Sequence, residues 1–251
     1  MNKLFWQLQG EFTGSTPAAK QIKKKGFMKI GILTHPLQHN YGGVLQAYAL
    51  STYLNRRGHE VVMIKRHKDD RTDWIKRGIK RFLIQMIIKI AKIERLPRSL
   101  WYDYLQSNFD GFINKYFENF ATVVEIEQGI AKLDAVVVGS DQVWRKWGKS
   151  WDMGYYFADF AVENNIPVFS YAASLGADHW NFDETETERY KNWLKQYKAL
   201  SVRESDSVGI LKSALGVDSQ VHLDPTLLLS KEDYKSIENS GKILRMGLIT
   251  E

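Results

Sequence analysis

The stretch KIGILTHPLQHNYGGVLQAYALSTYLNRRGHEVVMIK, residues 29–65, carries the signals of one complete β-α-β unit. The apolar run at residues 29–34 predicts a strand, and residues 44–57 place apolar side chains at helical spacing before Gly58 ends the pattern. Residues 60–65 are apolar again and predict a second strand. Strands that are apolar throughout and separated by a helix indicate a parallel sheet covered on both faces.

The same alternation returns after residue 122. Further strands are predicted at residues 134–140, 166–176, 199–205 and 221–225, and helices at residues 125–133, 182–198, 206–216 and from Lys231. We therefore expect an α/β fold, a doubly wound Rossmann-like parallel sheet with helices on both faces.

The pattern also predicts how the chain is divided. Residues 1–27 show little periodicity and are expected to form a flexible N-terminal extension. Residues 28–241 form the predicted Rossmann-like domain, and residues 67–122 interrupt it as a helical insertion. The apolar run within residues 242–251 is expected to begin a second domain, most of which is missing from this chain.

Composition excludes several classes of protein. The 251 residues include no cysteine, which excludes disulfide scaffolds, thiolate zinc sites and cysteine nucleophiles. The histidines show no metal-ligand spacing, so no metal site is predicted. Neither a secretory signal nor an apolar run long enough to span a membrane is present in the sequence, and we expect a cytoplasmic protein.

The net charge of +6 is unevenly distributed. Residues 65–98 hold 12 Lys and Arg against 4 Asp and Glu, which is +8 and leaves about −2 for the rest. A local basic patch favours a local anionic partner over nucleic acid. Because residues 82–93 add an apolar helical face, residues 67–98 are predicted to contact an anionic membrane surface; alternatively, that face packs on its own domain.

In a doubly wound sheet, ligands bind at the carboxyl ends of the strands. Four segments stand out in this way: HNYGG (39–43) and GSDQVW (139–144) after the first and third predicted strands, and SYAASLG (170–176) and SVRES (201–205) at the fourth and fifth. These segments are the candidate binding site.

The glycine pair Gly42–Gly43 precedes a predicted helix. Glycines let a ligand approach the backbone, and a helix N-terminus offers unpaired N–H groups, so an anion or a sugar hydroxyl could bind here. Alternatively, the glycines only make the turn. The segment is not a GxGxxG nucleotide fingerprint.

Three further side chains suggest chemistry. Asp141 could accept a hydroxyl proton or cap a helix, and Trp144 could stack on a sugar. Arg203 could bind a carboxylate or phosphate, or form a structural ion pair. Asp224, which precedes Pro225, fits a turn better than the cleft.

Five motifs occur in order along the chain: NYGGVLQAYAL, DAVVVGSDQVW, FSYAASLG, LSVRESDSVGIL and DPTLLL. This set, from about Met28 to Leu229, resembles the polysaccharide pyruvyl transferase family. The resemblance implies transfer of pyruvate from phosphoenolpyruvate to a sugar hydroxyl pair of a surface or exported polysaccharide. It also implies a GT-B-like protein of two Rossmann-like domains, of which this chain is one half, so the chain alone is not expected to be active.

The resemblance also assigns roles to individual residues. Asp141 would act as acid and base on the acceptor hydroxyl, and Arg203 would face the anionic groups of the donor. Five residues would line the acceptor side of the cleft, namely Asn40, Tyr41, Gly42, Gly43 and Gln46, and four more would bind substrate, namely Ser140, Gln142, Trp144 and Ser174.

The expected partner is a carbohydrate acceptor, for which a polyprenyl-linked form is one possibility. No cofactor is expected besides phosphoenolpyruvate as co-substrate. Two other functions stay open at this point: a GT-B-type glycosyltransferase that uses a nucleotide sugar, and a non-catalytic sugar-binding domain.

Overall fold

A computed structural model describes residues 26–38, 40–67, 83, 109–146, 148 and 153–238. Seven strands lie in these ranges: β1 (Lys29–Leu33), β2 (Glu60–Lys65), β3 (Phe120–Thr122), β4 (Ala135–Asp141), β5 (Val168–Ala173), β6 (Ser201–Val202) and β7 (Gln220–Val221). All pair in parallel, and they form one sheet in the order β3-β2-β1-β4-β5-β6-β7.

Helices connect these strands. They are α1 (Tyr41–Arg56), α2 (Val123–Glu127), α3 (Asp159–Glu163), α4 (Glu184–Leu194), α5 (Ser205–Leu215) and α6 (Lys231–Glu238), with 3-10 turns at Gly154–Phe157 and Pro225–Leu228. Residues 109–116 are also helical. The predicted α/β class, a Rossmann-like parallel sheet with helices, is confirmed.

Successive side chains of each strand point to opposite faces of the sheet, so the strands contribute to two apolar layers. On one face, Leu33, Val136 and Val138 pack in a cluster that includes Trp144, Phe157 and Tyr190. On the other face, the buried side chains of the strands pack against α1 and residues 109–117; they include Ile30, Ile32, Val61, Met63 and Val137. Burial on both faces explains why these strands are apolar throughout.

The predicted insertion ends earlier than expected. Residues 120–122, which the sequence pattern assigned to it, form the edge strand β3, whose partners in β2 are Met63, Ile64 and Lys65. Three residues are too few to show a periodicity of their own. Most of residues 67–98, with the predicted membrane contact, lies outside the described residues, as do most of the predicted N-terminal extension and all of residues 242–251.

Within the described ranges, no helix has the length and apolar character needed to cross a membrane.

Two buried serines join β5 to β6, which share a single ladder pair, Ala173 with Val202. Ala172 has a φ of +48°, and its N–H donates to the side chain of Ser201, at Oγ, over 2.9 Å. Ser201 Oγ donates to Ser170 O at 3.0 Å, and Ser170 Oγ donates to Ser201 O at 2.9 Å and accepts from Ser201 N at 2.8 Å. Side-chain hydrogen bonds thus add to the backbone bonds from Ser170 N to Ala199 O and from Arg203 N to Ala173 O at this junction.

Ser201→Ala should destabilise the protein by about 1–3 kcal/mol, because it leaves the buried Ala172 N–H without an acceptor. Ser213→Ala is the matched control: Ser213 is exposed on α5, and its loss should change the free energy of unfolding by less than about 0.5 kcal/mol. Denaturant unfolding of both variants checks this. Equal stability of the two variants would contradict the role of the serine pair.

Candidate functional site

The crevice between the carboxyl ends of β1 and β4 is the topological switch point of the sheet. The chain leaves β1 towards α1 on one face and leaves β4 towards Trp144 on the other. The last pair of β1 with β4 is Leu33 with Val138, and β4 continues to Asp141 beyond it. Ligands of doubly wound sheets bind at such a crevice, and we therefore build the candidate site from here.

The first turn of α1 lies against the end of β4. Asn40 caps the helix, since its Oδ1 accepts a hydrogen bond from the Gly43 N–H at 3.1 Å. A Cβ at position 43 would lie 2.9 Å from Asp141 Oδ2 and 3.1 Å from Asn40 Nδ2, which is too close for either contact. Gly43 therefore lets a carboxylate of the protein itself approach the positive end of α1.

Asp141 combines a strained backbone with an unpaired oxygen. Its φ is +96°, a conformation that residues other than glycine rarely adopt. Its Oδ1 accepts from Gln142 N at 2.8 Å, while Oδ2 is buried and has no hydrogen-bond partner among the described residues. The chain turns after Asp141 without starting a helix, so Asp141 is not a helix cap. Strain and an unsatisfied buried oxygen concentrate at functional sites.

Two aromatic rings lie beside this carboxylate. His35, directly beyond β1, contacts the Gln142 carbonyl through Nε2 at 3.0 Å, and because a carbonyl only accepts, Nε2 carries the proton. The His35 ring packs edge-on against Tyr156, with centroids 4.9 Å apart. Burial raises the pKa of Tyr156, Arg66 opposes this rise, and Asp141 adds to it. The crevice therefore gathers groups that can hold or move a proton.

A second set of polar groups follows β4, β5, β6 and β7. Ser140 Oγ donates to Asp224 Oδ2 at 3.0 Å, and Arg203 Nη1 contacts the same oxygen at 3.4 Å. Arg203 Nε donates to Glu204 Oε1 at 3.0 Å, and Ser174 Oγ donates to that oxygen at 2.8 Å. We call these five side chains the edge ring.

The charge of Arg203 is paired with two carboxylates of the edge ring, those of Glu204 and Asp224. Burial on its own would lower the pKa of Arg203, but hydrogen bonds and charges from Glu204 and Asp224 outweigh burial and raise it. Asp224 has two tasks, because its Oδ1 also accepts from the N–H and hydroxyl of Thr226, at 2.9 and 2.8 Å. The Asp-Pro turn predicted from the sequence is present, and the same carboxylate also reaches the site.

Several predicted substrate-binding residues are buried. Trp144 is 1% exposed, donates from its indole to Tyr156 O at 3.1 Å, and stacks on Phe157, so the prediction that it stacks on a sugar is wrong for this structure. Gln46 is 2% exposed, and its amide donates to Thr34 Oγ1 and Gly43 O at 3.0 and 2.8 Å. Gln46 therefore holds α1 on the sheet and does not line the cleft.

The other predicted residues divide between the crevice and its support. Asn40 and Gly42 are exposed at the start of α1, whereas the Tyr41 ring packs on Phe109 at 4.6 Å. Ser140 and Ser174 are fully buried in the edge ring, and Gln142 Oε1 accepts from Arg145 at 2.8 Å. Asn40, Gly42, Gly43 and Asp141 are thus the predicted residues that meet at the crevice.

Sequence reasoning missed His35 and Tyr156. His35 could have been found, because it follows a predicted strand directly, but it was considered only as a metal ligand. Tyr156 lies in a short 3-10 turn, which has no hydrophobic periodicity by which the sequence could predict it. In the part of the chain that the structure describes, no three His, Asp or Glu side chains are grouped as metal ligands would be.

The fold and the crevice define a Rossmann-like α/β domain with a strained aspartate at the carboxyl edge of its sheet. The family model described as polysaccharide pyruvyl transferase matches residues 40–247, which is most of the chain. The protein therefore belongs to the polysaccharide pyruvyl transferase family, a family of transferases. Comparison with curated proteins gives no significant match.

Gly43→Ala should lower the stability of the protein by about 1–3 kcal/mol, because the new Cβ would collide with Asp141 and Asn40. Gly42→Ala is the matched control: the nearest atom to its Cβ is Asn40 Oδ1 at 3.4 Å, an ordinary contact. Thermal unfolding compares the two variants. A melting temperature of Gly43→Ala equal to that of Gly42→Ala would contradict the close approach.

Proposed function

We propose that the protein transfers pyruvate from phosphoenolpyruvate to two hydroxyls of one sugar in a surface or exported polysaccharide, forming a pyruvate ketal. The observation that carries this proposal is Asp141, held in a strained conformation at the switch point with one carboxylate oxygen free of hydrogen bonds in the described structure. Membership of the family supports the choice of reaction.

The reaction requires protons to move at two places. One hydroxyl oxygen bonds to the central carbon of phosphoenolpyruvate, while the terminal methylene carbon gains a proton and becomes a methyl group. The bond from the central carbon to the phosphate oxygen then breaks, the second hydroxyl oxygen bonds to that carbon, and inorganic phosphate leaves. Of the two protons lost by the hydroxyls, one balances the proton gained by the methyl group and the other leaves with phosphate.

The crevice contains groups suited to these transfers. Asp141 Oδ2 is the acceptor for a hydroxyl proton, since it is aimed at the first turn of α1 and has no other partner among the described residues. His35, half-buried and fixed by the Gln142 carbonyl, is the second group that can carry a proton. Asn40 and Gly42 are exposed beside them and offer polar contacts to an acceptor sugar.

A donor panel tests the reaction. The intact natural protein is incubated with phosphoenolpyruvate, UDP-glucose or UDP-galactose, and with galactose- or mannosamine-containing acceptors. We expect phosphoenolpyruvate alone to release inorganic phosphate and to increase the acceptor mass by that of pyruvic acid less one water. A sugar-transfer product from a UDP-sugar would support a glycosyltransferase instead, and acceptor binding without turnover of any donor would support a sugar-binding domain.

Asp141→Asn should reduce kcat with phosphoenolpyruvate by about 10²-fold or more, because the amide cannot accept the hydroxyl proton. The control is Asp218→Asn, a surface aspartate paired with Lys212 before the amino end of β7, which should leave kcat unchanged. Steady-state phosphate release measures both. Full activity of the Asp141 variant would remove this residue from the mechanism.

A further inference from the structure

The resemblance assigns Arg203 to the anionic groups of the donor, but its contacts indicate a different role. Its Nε donates to Glu204 at 3.0 Å and its Nη1 contacts Asp224 at 3.4 Å. One cation between two carboxylates leaves the group with a net negative charge. A phosphate or carboxylate that approached this guanidinium would meet two negative charges already bound to it.

Both ends of the edge ring connect to the backbone of Asp141, at Ser140 through the peptide bond and at Ser174 through a hydrogen bond. One path of contacts starts at Ser140, the residue before Asp141. The Ser140 hydroxyl donates to Asp224, and Asp224 contacts Arg203. The other path runs from Arg203 through Glu204 to Ser174, whose backbone N–H donates to the Asp141 carbonyl at 3.0 Å. Together, the two paths hold the peptide groups on either side of the Asp141 Cα.

This enclosure adds to two other hydrogen bonds on the same peptide groups, from Val143 N to Asp141 O at 2.8 Å and from Thr34 Oγ1 to Ser140 O at 3.2 Å. A φ of +96° persists in a residue other than glycine only when its surroundings fix it. The hydroxyls of Ser140 and Ser174 donate to Asp224 and Glu204, so their hydrogen bonds are made within the protein. The arginine supplies the charge that lets Glu204 and Asp224 lie in the same ring.

We propose that Arg203 is a positioning residue, which holds Asp141 in its strained conformation through the edge ring and does not bind the donor. Its kinetic test rests on the proposed function, because it uses turnover of phosphoenolpyruvate. A structural test that needs no activity accompanies it, so that the two proposals can fail separately.

The kinetic test compares Arg203→Met, Ser140→Ala and the double variant of the intact natural protein. We expect each single variant to lower kcat at least tenfold while KM for phosphoenolpyruvate stays within twofold of the parent. Because both substitutions break the edge ring, kcat of the double variant should be no lower than kcat of the more impaired single variant. The control is Lys212→Met, which breaks an exposed ion pair with Asp218.

A donor-binding arginine would behave differently. Arg203→Met would then raise KM for phosphoenolpyruvate tenfold or more, Ser140→Ala would keep the parental kcat, and the two effects would add. Either a raised KM in the first variant or a parental kcat in the second overturns the positioning role. Arg203→Lys adds a rescue: a lysine that still reaches Asp224 should recover part of kcat.

The structural test measures the three-bond scalar coupling between the amide and α protons of Asp141, which depends on φ. In isotopically labelled protein, the coupling should change in Ser140→Ala and in Arg203→Met and stay constant in Lys212→Met. Parental couplings in both ring variants overturn the proposal, whatever the donor is. Altered couplings in a protein that does not use phosphoenolpyruvate would uphold the positioning role and reject the proposed function.

Discussion

The parallel pairing of β1 with β4 is the constraint on which the site depends. The strand order reverses between these two strands, so the right-handed connections that follow them pass over opposite faces of the sheet, and a crevice opens between the two exits. Because β4 runs on past its last pair with β1, Asp141 lies opposite the first turn of α1. The position of the carboxylate is thus set by the order of the strands in the sheet.

The N-terminus of a helix often binds an anion, and at the N-terminus of α1 a carboxylate of the protein itself takes that position. Gly43 admits the Asp141 carboxylate to the positive end of the helix, and Asn40 uses its own oxygen to cap the same turn. The glycine pair therefore does more than turn the chain, but the negative group it accommodates belongs to the protein.

The sequence predicted the central strands and α1 well, because long apolar runs and helical spacing leave few alternatives. It missed β3, which is only three residues long. It also predicted that Trp144 stacks on a sugar, because the sequence around an aromatic residue after a strand does not distinguish a ligand-stacking ring from a buried one. It left both roles of Arg203 open, since one of its two partners, Asp224, lies 21 positions away along the chain. Contacts of this range follow from the topology of the sheet and are not encoded in local spacing.

Neighbouring strands of the sheet share different numbers of ladder pairs, and the serine pair lies where β5 meets β6. β4 and β5 share five ladder pairs, whereas β5 and β6 share one, beside an isolated bridge of Phe169 with Ala199 and the hydrogen bonds of Ser170 and Ser201. Arg203 and Asp224 follow β6 and β7, whereas Asp141 ends β4 on the other side of this junction. Any local opening between β5 and β6 would therefore separate the arginine from the aspartate that the edge ring holds.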